Sequence, residues 1–190
     1  MYTTDTMLNR EEALQLLKKY LKTENLYKHS LAVEAILQAT AQQLHKDEHL
    51  WGITGLLHDL DYDFTKTEPQ NHAKMTVQIL TGLLPDKAIN AIKSHNYHHT
   101  NQVPETSLDK ALIAADAVSG LIIATALVMP TKKIADVQLS TLINKFKDNS
   151  FARGCDRKRI ELSEDFGVPL DYFLELSLKA LTEIAEPLGL

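Results

Sequence analysis

The sequence predicts an all-α fold, a single helical bundle with a short helical extension at its C-terminus. Apolar residues recur at helical spacing along most of the 190 residues, and no stretch shows the alternation typical of a β-strand. Residues that favour the start or the end of a helix separate these apolar stretches. The length suits one well-packed core better than two full domains. We therefore divide the chain into an N-terminal helix (1–24), a helical core (25–130) and a helical C-terminal subdomain (131–190).

The predicted helices begin and end at capping residues or prolines. A capping box at Asn9 and Glu12 starts the first helix, and Pro85 suits the first turn of the fifth. Before Pro130, helices are expected after Asn9 and over about 25–45, 47–59, 70–82, 85–95 and 107–128, with a loop over 61–70. Beyond Pro130, shorter and more polar helices are expected over about 136–147, 156–166 and 170–186.

The longest apolar run, "ALIAADAVSGLIIATALVM" at residues 111–129, is long enough to cross a membrane. Asp116 lies within it, and an isolated carboxylate in lipid is costly. A helix buried in the core of a soluble protein explains the run better, so we expect no membrane partner. Asp116 then becomes a buried acid that needs a compensating partner.

Composition narrows the class of partner and the compartment. The formal net charge of -5 argues against nucleic acid as a partner. The charge is uneven, because residues 130–160 carry eight lysines and arginines against three aspartates. Cys155 is the single cysteine, which excludes an internal disulfide, and no signal peptide is apparent. We therefore expect a reducing, cytoplasmic location.

Six residues of metal-ligating type lie in or beside the predicted core helices: His29, His58, Asp59, His72, His95 and Asp116. Taken alone, His29 has an ordinary explanation as a satisfied core histidine, and His72 as a helix-start residue facing solvent. Burying all six without compensation would cost several kcal/mol, and one bound cation or two would compensate them together. On a helix that continued past His95, His99 would share its face, as a ligand or a substrate contact, but the run is equally explained as a polar helix end.

The ligand types narrow the choice of metal. Imidazoles and carboxylates without paired thiolates exclude a zinc ribbon or an iron–sulfur cluster. Mixed nitrogen and oxygen ligation suits a divalent transition metal, namely Fe, Mn, Co, Ni or Zn. Five or six ligands could hold one ion or two, and with two ions about 3.5–4 Å apart the carboxylate of Asp59 would bridge them.

The motifs "KHSLAV", "GLLHDLD", "NHAKMTVQIL", "IKSHN" and "ALIAADAVSGLI" together resemble the HD superfamily of metal-dependent phosphohydrolases over roughly residues 25–125. The resemblance implies an HD-domain bundle with a first metal on His29, His58, Asp59 and Asp116. It implies a second metal on Asp59, His72 and His95, as in HD-type enzymes that cleave dinucleoside polyphosphates symmetrically. The chain departs from the cyclic-dinucleotide branch, because Asn96 stands where that branch has a paired histidine.

The implied activity is hydrolysis of a phosphoester or phosphoanhydride, with a metal-bound hydroxide as nucleophile and, by family frequency, a nucleotide as the small phosphorylated substrate. The candidate catalytic residues are Asp59, Asp61 and Asp63, the last two for proton transfer or for orienting His58. A solvated acidic loop is their alternative explanation. Candidate substrate contacts are Lys66, Lys74, His99 and Arg153. The C-terminal region would either cover the site or form a homodimer contact.

Two other functions fit the same residues. Some HD-fold proteins are di-iron oxygenases with a ligand set of this kind, and oxygen consumption with two bound irons would indicate that chemistry. A non-catalytic module that senses a nucleotide is the other alternative, although every core ligand is present. A purely structural helical protein fits least, because it leaves the buried polar residues unexplained.

Overall fold

The structure, a computed structural model, describes residues 7–190. These residues form α-helices and two short 3₁₀-helices, so the predicted all-α fold is confirmed. The α-helices are, in chain order, α1 Arg10–Tyr20, α2 Glu24–Gln43, α3 Glu48–Leu57, α4 Tyr62–Thr65, α5 Lys74–Leu80, α6 Asp86–His95, α7 Tyr97–Thr100, α8 Ser107–Val128, α9 Leu139–Lys147, α10 Arg157–Glu161, α11 Leu170–Glu183 and α12 Ala185–Leu188. The 3₁₀-helices are Ile134–Asp136 and Glu164–Phe166.

Local capping explains where the first helix begins. The Asn9 side chain accepts a hydrogen bond from the Glu12 backbone N–H at 3.0 Å, and the Glu12 carboxylate accepts one from the Asn9 N–H at 2.9 Å. This reciprocal pair is the predicted capping box, which satisfies two otherwise unpaired backbone donors. The start of α1 therefore follows from a four-residue signal in the sequence.

A close approach of α2 and α3 brings the two helices that carry the first histidines together. A Cβ placed on Gly55 would lie 2.9 Å from the carbonyl oxygen of Val33, which is too close for any side chain larger than hydrogen. Glycine at this position thus allows the two backbones to touch. Because His58 follows directly on α3, the contact also sets its distance from His29 on α2.

Helix α8 is the central helix of the bundle. It packs against α2, α6, α10 and α11, and 67% of its most apolar stretch is buried. By length and composition alone this helix could cross a membrane. Its burial in the bundle explains the apolar composition equally well, as that of a core helix. Asp116 lies on this helix with its side chain 21% exposed, at the edge of the core rather than inside it.

Four predicted boundaries are wrong. The predicted loop over 61–70 contains the short helix α4, and the helix predicted from residue 70 begins at Lys74. Ala73 has a φ of 71°, a left-handed conformation that cannot continue a helix, so His72 precedes α5 in a turn. The predicted 156–166 helix ends at Glu161, and the 170–186 helix breaks at Ile184.

The C-terminal region packs onto the same core and carries one unusual loop. The Arg157 guanidinium donates hydrogen bonds to backbone carbonyls along residues 145–155, namely those of Lys145, Phe146, Asp148, Phe151, Ala152 and Cys155. The Cys155 thiol donates to the carbonyl oxygen of Ala117 on α8 at 2.6 Å. The 148–156 loop is thereby tied both to itself and to the central helix.

Candidate metal centre

The six residues of metal-ligating type are brought together from five different segments. His29 lies on α2 and Asp116 on α8. His58 and Asp59 follow the end of α3, and His95 is the last residue of α6. His72 comes from the turn before α5. Positions up to 87 residues apart in sequence thus converge at one end of the bundle, as the motifs predict.

The carboxylate of Asp59 lies at the middle of this group. Its Oδ1 atom is 3.2 Å from Nε2 of His58, 3.3 Å from Nε2 of His72 and 3.4 Å from Nε2 of His95. Its Oδ2 atom is 3.7 Å from Nε2 of His29. The ligand atoms form two overlapping groups, a first cluster of His29, His58 and Asp59 and a second cluster of Asp59, His72 and His95.

Two of the imidazoles are held by backbone carbonyls of their own helices. Nδ1 of His58 lies 2.8 Å from the carbonyl oxygen of Gly55, and Nδ1 of His95 is bonded to that of Ile92. A carbonyl only accepts, so each Nδ1 must carry the proton. The neutral ring then presents an unprotonated Nε2 to the centre, as a metal-binding histidine does.

Side chains hold the other two imidazoles in the same orientation, with Nε2 toward the centre. Nδ1 of His72 lies 2.8 Å from Oδ1 of Asp61. Nδ1 of His29 lies 3.1 Å from the hydroxyl of Ser119, which donates its own proton to the carbonyl of Asp116 at 2.8 Å and is free to accept. All four rings therefore direct Nε2 toward the carboxylate of Asp59.

These residues fit a bound cation. Nε2 of His58 is buried and has no hydrogen-bond partner among the described residues. Nε2 of His72 and Nε2 of His95 lie only 2.8 Å apart, which sets two lone pairs against each other unless a proton or a cation lies between them. Buried polar groups left in this state are costly. Imidazole nitrogens and carboxylate oxygens are the ligands that divalent transition metals prefer.

The charge states of the site agree with this arrangement. Burial lowers the pKa of His58 to about 4, so this ring is neutral at neutral pH. Burial would raise the pKa of Asp59, but the imidazoles of His58, His72 and His95 hold it well below its ordinary value. Burial also lowers the pKa of His72, but its hydrogen bonds to Asp59 and Asp61 outweigh that and raise it to about 10. A metal ion would therefore displace a proton from His72 on binding.

Asp61 orients a ligand and does not face the centre itself. Its buried carboxylate accepts the Nδ1–H of His72 and the backbone N–H of Thr76, the latter at 3.0 Å. Burial raises the pKa of Asp61, but these two hydrogen bonds outweigh it and lower the pKa. The sequence suggested His58 as the ring that Asp61 would orient, whereas the structure pairs it with His72.

Asp63 lies on α4, and its side chain points to the residues that precede α2 instead of to the centre. Its carboxylate accepts hydrogen bonds from the backbone N–H groups of Lys22 and Thr23, at 2.7 and 3.0 Å, and from the Thr23 hydroxyl. These contacts are those of a residue that satisfies unpaired donors before a helix. They give Asp63 a structural role, where the sequence analysis placed it among the catalytic acids.

Asn96 connects the segment of His72 to the end of α6. Its side-chain amide donates to the carbonyl oxygens of Pro69 and His72, at 3.1 and 3.0 Å. The two ligands of the second cluster, His72 and His95, are thus held against each other by the residue that follows His95. This contact explains physically what asparagine does at the position where the sequence departs from a paired histidine.

The predicted substrate contacts lie on the surface. All four side chains are exposed, and in the described part of the chain they form no ion pair with the six site residues: Lys66, Lys74, His99 and Arg153. The basic side chain that does reach the centre is Arg159 on α10, whose Nη2 lies 3.0 Å from Oδ2 of Asp116. In the sequence, Arg159 is one of several basic residues of the 130–160 stretch, and neither its spacing nor a motif distinguishes it from the others.

A cavity of about 350 Å³ opens beside the first cluster. It lies between α8 and the 148–156 loop and is lined by His29, Asp116, Ala117, Gly120, Ala152, Gly154, Cys155, Asp156 and Arg159. Its small side chains leave room next to two site residues, and its volume lies in the range of small-molecule sites. The cavity therefore gives access to His29 and Asp116 of the candidate centre from this side.

The comparisons with known proteins agree with the geometry. The family model for the HD domain matches residues 26–121, a segment that contains all six site residues. No curated protein sequence matches the chain. The chain is similar to the crystal structure of the HD domain of the L. monocytogenes phosphodiesterase PgpH, with a TM-score of 0.52 and 17% identity over 89% of this chain and 98% of that one. At this identity the likeness supports the fold.

The match to the family model spans about half of the chain and confirms the resemblance found in the sequence. It covers the helices from α2 to the middle of α8, which are those that carry the two clusters. The chain belongs to the HD superfamily of metal-dependent phosphohydrolases.

Proposed function

We propose that this protein hydrolyses a phosphoester or phosphoanhydride bond of a nucleotide at a centre that holds two divalent transition-metal ions. The observation that carries the proposal is the shared position of Asp59. Its Oδ1 lies within 3.4 Å of Nε2 of His58, His72 and His95, and its Oδ2 faces His29. One carboxylate common to two ligand groups is the arrangement expected of a bridging ligand.

The residues divide between the two ions. His29, His58 and Asp59 would hold the first ion together with Asp116, whose Oδ1 lies 3.2 Å from Nε2 of His29. Asp59, His72 and His95 would hold the second. When bound, such ions polarise a phosphoryl oxygen and supply a nucleophile at neutral pH.

The protein's own contribution is to hold the ligands and to shape the approach. The Nδ1 contacts fix the four rings before any ion binds, which lowers the cost of assembling the site. Asp61 remains ionised and engaged with His72 and Thr76, so its role here is to orient a ligand. The cavity beside His29 and Asp116 gives a phosphorylated substrate room on the side of the first cluster.

An aromatic surface on the other side supports a nucleotide as the substrate. The Tyr62 ring packs edge-on against the His72 imidazole with ring centroids 5.2 Å apart, and it remains 38% exposed. The neighbouring Phe64 is 59% exposed. An exposed aromatic ring beside a ligand of the second cluster provides a face on which a nucleobase can stack.

The number of metal ions per chain is the decisive measurement. Elemental analysis of protein purified anaerobically, without an affinity tag, should find close to two transition-metal ions per chain. One ion would restrict the site to the first cluster with Asp116. No ion, even after reconstitution with Mn²⁺, would contradict the proposal.

Activity assays then distinguish the chemistry. Nucleoside triphosphates and dinucleoside polyphosphates should release phosphate-containing products in the presence of Mn²⁺, with dissolved oxygen unchanged. Oxygen uptake by the iron-loaded protein, without hydrolysis in any metal form, would contradict the proposal and favour the di-iron oxygenase chemistry instead. Tight nucleotide binding without any product would favour a sensing module.

A further inference from the structure

Arg159 is the basic side chain through which the C-terminal subdomain touches the metal centre. Its Nη2 atom donates to Oδ2 of Asp116 at 3.0 Å and to the carbonyl oxygen of His95 at 3.0 Å. It therefore contacts a ligand of the first cluster's ion and the backbone of a ligand of the second. Neither the family match, which ends at residue 121, nor the sequence motifs include this residue.

The contact divides the carboxylate of Asp116 between two partners. Oδ1 lies 3.2 Å from Nε2 of His29 and faces the metal ligands, whereas Oδ2 faces Arg159. The pKa of Asp116, which burial would raise, is held far below its ordinary value by His29 and Arg159. A carboxylate anchored in this way presents one defined oxygen to an ion.

The Arg159 side chain lines the cavity, and part of its guanidinium has no protein partner among the described residues. Arg159 lines the 350 Å³ cavity together with His29 and Asp116, and its side chain is 29% exposed. Its Nε atom is buried and has no hydrogen-bond partner among residues 7–190. Asp156, the other charged residue of the cavity wall beyond the site, already caps α10 through the Lys158 N–H.

The wall opposite α8 is rigid enough to hold this arginine in place. Arg157 ties the carbonyls of the 148–156 loop together, and the Cys155 thiol anchors that loop to Ala117. The next residues form α10, on which Arg159 lies. The cavity wall and the position of the guanidinium are therefore built by the same set of contacts.

A purely structural role does not explain why Arg159 lies beside the metal centre. Two divalent ions in the clusters would repel a neighbouring guanidinium and would compensate Asp116 without it. A fixed cation beside a cationic metal centre is favourable when an anion lies between them. Arginine suits a phosphate group because its planar fork makes two charge-assisted hydrogen bonds.

We infer that Arg159 binds the phosphoryl group of the substrate in the cavity beside the first cluster, and that it positions Asp116 at the same time. The inference rests on the proposed function, because it assigns the cavity to the phosphorylated substrate of that site. It makes the C-terminal subdomain a necessary part of the substrate site.

The test compares phosphate binding by metal-loaded variants. Full-length wild type, Arg159→Ala, Arg159→Lys and Lys158→Ala are reconstituted with Mn²⁺, and their metal content is measured by elemental analysis. Lys158→Ala removes an exposed charge one position away on the same helix and serves as the matched control. Inorganic phosphate is then titrated into each protein in a calorimeter.

At saturating Mn²⁺, where the proteins are compared at equal metal content, Arg159→Ala should weaken phosphate binding by about ten- to hundredfold, because hydrogen bonds to charged groups contribute to that extent. Arg159→Lys should restore part of the loss, since it keeps the charge without the fork, and Lys158→Ala should bind as the wild type does. A hydrolysis assay with these proteins should show the same order in KM.

Two results would overturn the inference while leaving the proposed function intact. One is an unchanged phosphate affinity in Mn²⁺-loaded Arg159→Ala, including the case in which only metal content or thermal stability falls. The other is the absence of phosphate binding by wild type that does hold Mn²⁺. Failure of the wild type to hold any metal would instead refute the proposed function, so the two failures are distinguishable.

Discussion

The two clusters that meet at Asp59 are built in different ways. In the first cluster, His29 lies within the 20-residue helix α2, and Asp116 lies beside it on the 22-residue helix α8. His58 follows α3, which packs directly against α2 at Gly55. The geometry of this cluster depends on the packing of buried helices, which is the most stable part of a helical fold.

The second cluster depends on a turn. His72 precedes α5, and the next residue, Ala73, is held at a φ of 71°, a strained conformation for a residue with a side chain. Hydrogen bonds from Asn96 to the His72 carbonyl and from His72 to Asp61 hold the turn in place. From this comparison we expect the ion proposed for the second cluster to be the easier one to lose.

Removal of the shared ligand should have the largest effect. Asp59→Ala is expected to abolish binding of both ions and all hydrolysis, because each cluster loses its only common oxygen ligand. Helix content should stay close to wild type, since α3 ends before Asp59. Elemental analysis, activity assays and far-ultraviolet circular dichroism check these three points, and full activity in this variant would refute the bridging role.

Loss of one ligand from the second cluster should remove one of the two proposed ions and leave the other bound. His95→Ala is expected to retain about one metal ion per chain, because His29, His58 and Asp116 still hold the first. His98→Ala, an exposed histidine three positions further on, is the matched control and should retain two. If His95→Ala lost both ions, the clusters would not be separable and the contrast between them would fail.

A change in Asp61, which contacts a ligand of the second cluster without being a ligand itself, should have a smaller effect. Asp61→Asn keeps an acceptor for the Thr76 N–H but turns an amide group toward Nδ1 of His72, which disturbs the proton on that ring. The affinity for the second ion should fall by about 10- to 100-fold. Metal titration monitored by calorimetry checks this, with the exposed Asp86→Asn as control; an unchanged second affinity would show that Asp61 does not orient His72.

The smallest effect is expected outside both clusters. Asp63→Ala should lower the free energy of unfolding by about 1 kcal/mol, the usual net contribution of an intramolecular hydrogen bond, and should leave metal content unchanged. Urea denaturation at pH 7 measures the difference. A strong loss of activity at unchanged stability would instead return Asp63 to the catalytic residues.

The same variant has a pH dependence of known sign. Slight burial raises the pKa of Asp63, but hydrogen bonds from Thr23 and Lys22 outweigh it and lower the pKa below its ordinary value. A depressed carboxyl pKa stabilises the fold above that ordinary value and loses the contribution as the pH falls through the folded-state pKa. The stability difference between wild type and Asp63→Ala should therefore shrink below about pH 4.

Much of the fold follows from local sequence signals. Asn9 and Glu12 form the capping box that they predict, and the long apolar run becomes the central helix α8. The errors fall where distant residues decide the backbone. Nothing near residue 72 predicts a break there, because the turn is held by Asn96, which lies 24 positions away.

The candidate site, like the fold, can be predicted from the sequence only in part. The types and order of its six residues are visible in the sequence, because imidazoles and carboxylates on apolar helices need a common partner. The orientation of each ring is not visible, since it depends on contacts such as that of His29 with Ser119, 90 positions away. Arg159 is hidden for the same reason among the other basic residues of its stretch.

Periodicity, capping and side-chain chemistry are local properties. The helical class, the central helix and the residues that could hold a metal can therefore be predicted from the amino-acid sequence. The packing of the helices sets the rest. It places Asp59 between two clusters and turns Arg159 toward the cavity. It also pairs Asp61 with His72 and Asp63 with the backbone that precedes α2. These facts depend on distances between helices, which are set by packing and close backbone approach rather than by any short stretch of residues.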